Sequence, residues 1–455
     1  MMMQDALPGI KRFLKPLNLG ASATSYVVSF LAGFVTHLGR MSASQAAQAI
    51  RTDARHRANV VRFLARQGWS GDWSALQRLA ELLLGAEAAR GGTWVFIVDQ
   101  TLAGQQGQKT ENTFSTGNRR RRPRNVRRFQ TYTYARKSCH CFVVGLLITP
   151  GGLRVPSWRS YRTRGYCAHQ SRPYRKQTEL AAELIAAAPA PAGADVVVLG
   201  DTAFDAGCIR AACAARGWTW IVPMNPERVL AGPKGNRPKV RSLVEGLSAE
   251  QLAPVRLTPG QGPFVAQRRI ARCRLGPKAK PRTYYVHGER RMVHSVGEAQ
   301  VVFSSNEPPK RGQPVRVAKI LLTNDGRRSV AETVELYTLR WQIELFFKEL
   351  KGTLGFHQYR FRSFAKVESW VALCLVTFLY LEWYRATQVR RRRRTAKEKQ
   401  WWGRQRTYGL CLAVRQRAEE TELSRLADWL QTRTGRKRLK RLLRAARPLE
   451  YRAAA

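Results

Sequence analysis

Two short apolar runs, each leading into an aspartate, constrain this chain more than anything else in it. Thr93-Trp94-Val95-Phe96-Ile97-Val98 leads into Asp99, and the run 195–199 leads through Gly200 into Asp201. Runs of this length, rich in β-branched residues and lacking polar alternation, read as strands buried on both faces. Such strands need covering helices, and a helix-forming segment, 177–188, directly precedes the second run. Further strand candidates are 141–148, 218–222 and Lys319–Thr323. The implied class is α/β, with each aspartate at the carboxyl edge of a strand, where sites form in such sheets. The plainer reading of each aspartate alone is a cap on the turn that follows it.

The texture around this layer divides the chain. Residues 1–90 read as a helical N-terminal domain, with a possible cap at Ser42-Ala43-Ser44-Gln45, then apolar patterns through Val60, Val61, Phe63 and Leu64 and through Leu76, Leu79, Leu82 and Leu83. DNA contact and simple scaffolding both fit this segment. Residues 91–225 read as the first part of the core. Residues 226–315 turn to short strands at 266–275, 282–287 and 300–304 among Gly and Pro, a β-rich insertion. Residues 316–390 resume the core with a strong helix from near Ser329. Residues 391–455 form a basic helical tail that follows the five-arginine run 390–394.

Charge sets the partner class. Lys and Arg total 79 against 31 Asp and Glu, a formal net charge of +48. The excess is spread along the chain, so a polyanion is expected: DNA, RNA or an anionic membrane. The membrane reading is weak. The stretch 370–384 is short for a span and carries Glu382, so a buried core helix is expected. The first fifteen residues lack a long apolar core, and no secretory signal is read there. Eight cysteines without a Cys-x-x-Cys pair suggest free thiols in a cytoplasmic protein rather than structural zinc.

With acids scarce, a third carboxylate stands out. On a helix turning about 100° per residue, Tyr337, Arg340, Lys348 and Lys351 all fall within roughly 40° of Glu344. Leu336, Leu339, Ile343, Phe346, Phe347, Leu350 and Leu354 form a neighbouring apolar stripe. A salt-bridge ladder on a solvated face explains Arg340, Glu344 and Lys348, but not Tyr337. The spacing Tyr337-x2-Arg340-x3-Glu344-x6-Lys351 resembles the Tyr-Arg-Glu-Lys signature of bacterial insertion-sequence transposases of the DDE type, the IS-four-like group. Asp99 after its strand and the string Leu199-Gly200-Asp201-Thr202-Ala203-Phe204 are similar to that family as well, and the resemblance spans roughly residues 40–385.

The resemblance implies an RNase H-like catalytic core interrupted by a β-rich insertion, with Asp99, Asp201 and Glu344 as catalytic metal ligands. It implies that Tyr337, Arg340 and Lys351 hold phosphates. An all-oxygen donor set suits Mg²⁺, with Mn²⁺ able to substitute. The expected function is cut-and-paste transposition: cleavage at transposon ends and transfer of the 3′-hydroxyl into target DNA. The expected partners are double-stranded DNA, namely terminal inverted repeats and target, and a second copy in a homodimeric DNA complex. The expected place is the bacterial cytoplasm, at the nucleoid. Some relatives form a DNA hairpin and carry Trp just before the strand that here reads Ile320–Thr323; this sequence has Lys319 there, and a hairpin is left open. The rivals are a metal-dependent nuclease without strand transfer and a catalytically inactive basic DNA-binding protein.

Three further features bear on DNA. Arg119, Arg120, Arg121 and Arg122 open a segment, 119–128, with seven arginines in ten residues and no acid; it reads as a backbone clamp or as a solvated loop. Trp158, Tyr161, Tyr166 and Tyr174 interleave with Arg159, Arg162, Arg164, Arg172 and Arg175, which suits base stacking or, equally, a core. His140 reads as a core or surface histidine that could approach the site.

Overall fold

The computed structural model describes residues 9–36, 57–66, 73–105, 110–115, 138–232, 237–258, 281–391 and 407–437, with a few isolated positions besides. The expected features at 42–50, 119–128 and 392–394, and most of 266–275, lie outside the described residues.

A mixed sheet forms the frame. Its strands are β1 (Trp94–Gln105), β2 (Phe114–Ser115), β3 (Ser138–Ile148), β4 (Arg154–Ser160), β5 (Val196–Leu199), β6 (Thr219–Pro223), β7 (Ala253–Leu257), β8 (Arg282–Val293), β9 (Gly297–Ser305) and β10 (Lys319–Thr323). The order is β2-β3-β1-β5-β6-β10-β9-β8-β7, with β4 pairing on β3 beside this path. β1, β5 and β6 run parallel; the other pairings are antiparallel. Trp94 through Val98 and Val196 through Leu199 are buried throughout, as their uninterrupted apolar sequence requires.

The helices are α1 (Ile10–Leu14), α2 (Ala21–Thr36), α3 (Arg57–Ala65), α4 (Trp73–Leu84), α5 (Arg164–His169), α6 (Gln177–Ala186), α7 (Gly207–Ala215), α8 (Val240–Glu245), α9 (Val330–Thr338), α10 (Trp341–Gly352), α11 (Phe364–Arg391) and α12 (Thr407–Gln431). α6 packs along β1, β3 and β4, and α10 packs against β1. α11 is the hub for the N-terminal helices. Phe34 meets Trp370 edge-on at 5.2 Å, and Phe13 meets Tyr380 edge-on at 5.4 Å. The N-terminal helices therefore share one core with the sheet. α11 extends beyond the stretch read from sequence, and its segment Phe364–Thr387 is long and apolar enough to cross a membrane. It is buried inside the protein, with Trp370, Tyr380 and Glu382 at or below 1% exposure.

Two expectations need correction. β1 does not end at Asp99. Antiparallel pairing with β3 carries it on to Gln105, with Asp99 opposite Val144. What ends near Asp99 is only the parallel pairing with β5, whose last matched pair is Ile97–Leu199. The strands of 226–315, where a β-rich insertion was expected, belong to the same sheet. β9 pairs with β10 along its length, so β7, β8 and β9 continue the same sheet. The helix beginning after Ser329 is two helices. Ser329 caps α9, its hydroxyl accepting from Glu332 N at 3.2 Å while the Glu332 carboxylate accepts from Ser329 N at 3.0 Å. The chain then tightens at Leu339 and Arg340, where four bonds reach back three residues instead of four: Leu339 N to Leu336 O, Arg340 N to Tyr337 O, Gln342 N to Leu339 O and Ile343 N to Arg340 O.

Candidate active site

Sheet register brings the two aspartates together. Asp99 and Asp201 each lie two residues beyond the matched pair Ile97–Leu199. Neighbouring strands run about 4.8 Å apart, so the pair sits side by side at the mouth where β1 and β5 part. Gly200 permits the turn after β5: a Cβ there would approach the Phe204 Cβ to 3.1 Å. Asp201 then caps a 3₁₀ turn, Thr202–Phe204, one oxygen accepting from Ala203 N at 2.9 Å. The capping role expected for a lone aspartate is thus real, and it uses one of the two carboxylate oxygens. Phe204 plugs the core beneath the turn.

Arg340 joins the third acid to the first. Its Nη1 donates to Asp99 Oδ2 at 3.1 Å and its Nη2 to Glu344 Oε1 at 3.3 Å. Asp99 Oδ1 accepts from Gln100 N at 2.7 Å. Burial pushes the Asp99 carboxyl up to about 6, and the negative charges of Asp201 and Glu344 add to the rise. The Gln100 N–H and Arg340 work against it without cancelling it. The cluster therefore holds more negative charge than its one guanidinium neutralises. Burial also raises the Tyr337 hydroxyl to about 12, and Asp201 and Asp99 push in the same direction. Tyr337 is a buried neutral phenol set beside the carboxylates.

Of the other expected residues, Lys351 is partly buried, and burial lowers its ammonium pKa against the pull of Glu344. Lys348 is exposed, and among the described residues it makes no ion pair. Arg119, Arg120, Arg121 and Arg122 lie outside the described residues. Two residues join the site that the helix pattern did not select. Lys319 sets its ammonium over the Tyr337 ring at 4.9 Å, and Trp341 is 48% exposed. With Arg282, Tyr284, Tyr337 and Arg340 they line a cleft of about 660 Å³ beside the acids. The signal for Lys319 was its place at the head of a strand; Trp341 had none beyond its neighbours.

Several of the other candidates make contacts within the fold. His140 is fully buried, its Nε2 donating to Glu111 O and its Nδ1 accepting from the Tyr359 hydroxyl, both at 2.8 Å. Trp158 is core, packed on Phe142. Arg159 pairs with Glu183 and Arg162 with Glu368, while Arg164 stacks over Tyr174 at 4.8 Å.

Residues 90–380 match the family model described as the transposase DDE domain. The chain belongs to this family. No curated protein matches the chain in sequence. The match spans β1 through most of α11, so the DDE transposase domain takes in Asp99, Asp201, Glu344 and the strands of the β-rich insertion. Transposases of this family act on DNA, and their domain carries nucleotidyl-transfer chemistry that generally uses divalent metal ions. In this DDE domain no three acidic, histidine or cysteine side chains among the described residues stand close enough to hold one metal ion as they are. Donor chemistry nevertheless fits such an ion. The three acids offer only oxygen ligands, and Asp201 and Glu344 add to the rise that burial imposes on Asp99, which a divalent cation there would relieve.

Proposed function

We propose that this protein is a DNA transposase of the cut-and-paste kind, built on an RNase H-like core. It cleaves transposon ends and transfers the freed 3′-hydroxyl into target DNA. Asp99, Asp201 and Glu344 would hold the divalent metal, Mg²⁺ or in its place Mn²⁺. The observation that carries the reading is the register: two aspartates aligned two positions past the same strand pair, with Arg340 linking Asp99 to Glu344.

When bound, the metal would activate water and stabilise the leaving oxygen. The chain's own residues then have separable tasks. Asp99 must be ionised to serve as a ligand, so its burial makes the site sensitive to mild acid. Arg340 spans two acids with a planar donor fork, the geometry that also grips a phosphate bidentately. A DNA phosphate entering beside Asp99 would compete for that fork. Tyr337 stays protonated across the working range and donates a hydrogen bond instead of acting as a base. Lys351 and Lys348 add point charges along the same helix, and Arg119, Arg120, Arg121 and Arg122 would contact the DNA backbone. Lys319 adds a cation over the Tyr337 ring, where it can meet a phosphate.

The test uses purified protein, Mg²⁺, a donor duplex bearing the flanking inverted repeats and a target plasmid. Cleavage with joined product is expected. Cleavage without joining would convert the reading to a nuclease, and binding without cleavage to an inactive DNA-binding protein. Chelation by EDTA is expected to stop both steps and leave binding intact.

A further inference from the structure

The helix that carries Glu344 has a second acid, Glu349, five residues on. At about 100° per residue the two point some 140° apart, so Glu349 faces away from Asp99. It meets Arg154, at the start of β4, whose Nη1 donates to Glu349 Oε2 at 3.0 Å. The other end of that guanidinium, Nη2, donates to Glu382 Oε1 of α11 at 3.0 Å, and the Arg154 N–H donates to Glu382 Oε2 at 3.2 Å. Arg385 closes the group by pairing with Glu382 and donating to Gly152 O. Arg154 and Glu382 side chains are each 1% exposed. Arg154 also lies over the Phe378 ring, at 4.9 Å, and Phe378 meets Phe346 of α10 edge-on at 4.8 Å. The Thr407 hydroxyl, at the start of α12, donates to the same Glu349 Oε2 at 2.6 Å.

We propose that Arg154 and Glu349 are a positioning pair: anchored on β4, they fix the rotation and height of α10 and so hold Glu344 opposite Asp99, with Thr407 letting the docked C-terminal helix report into the same contact. This rests on the reading of Glu344 as catalytic. Two arginines and two glutamates balance here in a site closed to water, so the group has no unspent charge for a ligand. Its effect must pass through the elements it joins. α10 is the one of these that carries a member of the acid trio, and a displacement of about 1 Å at a reacting group costs on the order of 100-fold in rate.

The two glutamates on Arg154 allow the idea to be separated from mere stability. Full-length Glu349→Gln, Thr407→Val, Glu382→Gln and Arg385→Lys are compared for unfolding, for Mn²⁺ binding by electron paramagnetic resonance without DNA, and for single-turnover end cleavage. Glu349→Gln is expected to weaken Mn²⁺ binding and cleavage at fixed Mn²⁺ by about tenfold, with DNA affinity within about twofold of wild type. Thr407→Val should move both in the same direction by about threefold. Glu382→Gln should lose at least as much stability yet keep wild-type Mn²⁺ binding and cleavage per folded molecule; if it does not fold, Arg385→Lys serves in its place. The proposal is overturned if Glu349→Gln binds Mn²⁺ normally, or if the α11 variants shift Mn²⁺ binding as much as it does. Glu344→Ala is run alongside. Normal cleavage by that variant would sink the catalytic reading itself, an outcome distinct from either.

Discussion

Helix α10 stands between two arginine–carboxylate clusters that use the same chemistry to opposite ends. On one side Arg340 spans Asp99 and Glu344; on the other Arg154 spans Glu349 and Glu382. The second is closed: its charges balance, and each carboxylate is engaged on more than one side. The first is open. Glu344 is 39% exposed in its side chain, three acids share the one guanidinium that pairs with them, and Asp99 is raised to about 6, by burial first and by Asp201 and Glu344 besides. The difference teaches that ion pairing alone does not distinguish a staple from a site. The imbalance of charge, and an opening through which something else can correct it, does.

The largest effect expected from that contrast is chemical. Asp99→Ala, Asp201→Ala and Glu344→Ala should each reduce end cleavage by on the order of 10³-fold or more while largely sparing DNA binding. A variant among these that cuts at the wild-type rate would remove its residue from the trio. Next comes stability. Arg154→Met takes from Glu349 the cation it pairs with and leaves Glu382 with Arg385 alone, and should cost about 3–5 kcal/mol in urea unfolding. Arg340→Ala should cost less, about 1–2 kcal/mol, because Glu344 is open to water and the buried Asp99 can take up a proton, yet should impair end processing more than bulk DNA affinity. Equal losses of stability from the two would erase the distinction drawn here.

A third prediction is smaller and opposite in sign. A carboxyl raised to about 6 binds its proton more tightly folded than unfolded, so it opposes folding once ionised. Asp99→Asn should therefore stabilise the protein at pH 7.5, by on the order of 2 kcal/mol, while abolishing cleavage. The gain should shrink as pH falls from about 6 towards 4, as wild-type Asp99 takes up its proton. Calorimetry of both proteins across that range decides it, and a gain that is constant with pH would refute the assigned cause. The smallest effect concerns Lys348. If it meets a phosphate, Lys348→Ala should lower the slope of log affinity against log salt by about 1. An unchanged slope would return Lys348 to a merely solvated face.

How much of this was legible in sequence depends on whether the cause was local. Lys319–Thr323 was read with its final limits, because an apolar run followed by Asn324-Asp325-Gly326 is a local signal at its far end. The overrun of β1 was not, since Gln100 and Thr101 look like a turn and only their pairing with β3 keeps them extended. Nor was the break between α9 and α10. Leu339 and Arg340 both favour helix, and no Gly or Pro marks the place. Glu344's face, by contrast, was legible: its stripe survives the tightened turn, with Arg340 reaching it one turn later. Arg154 was missed because its partners lie 195 and 228 residues away. The available hint was a pair of misfits, an arginine between Leu153 and Val155 and a glutamate inside the apolar run of α11.

The continuation of the sheet from β6 through β10 into β9 has a consequence for engineering and for descent. A module hung from a loop can be trimmed back to the loop. Here the strands of the insertion shield one whole side of β10, whose Ile320, Leu321 and Leu322 are buried. Cutting them away would bare a row of backbone donors and acceptors beside an apolar strip, the kind of edge that recruits other chains into aggregates. A shortened version of this protein would have to replace the lost strand β9 before it could dispense with the rest.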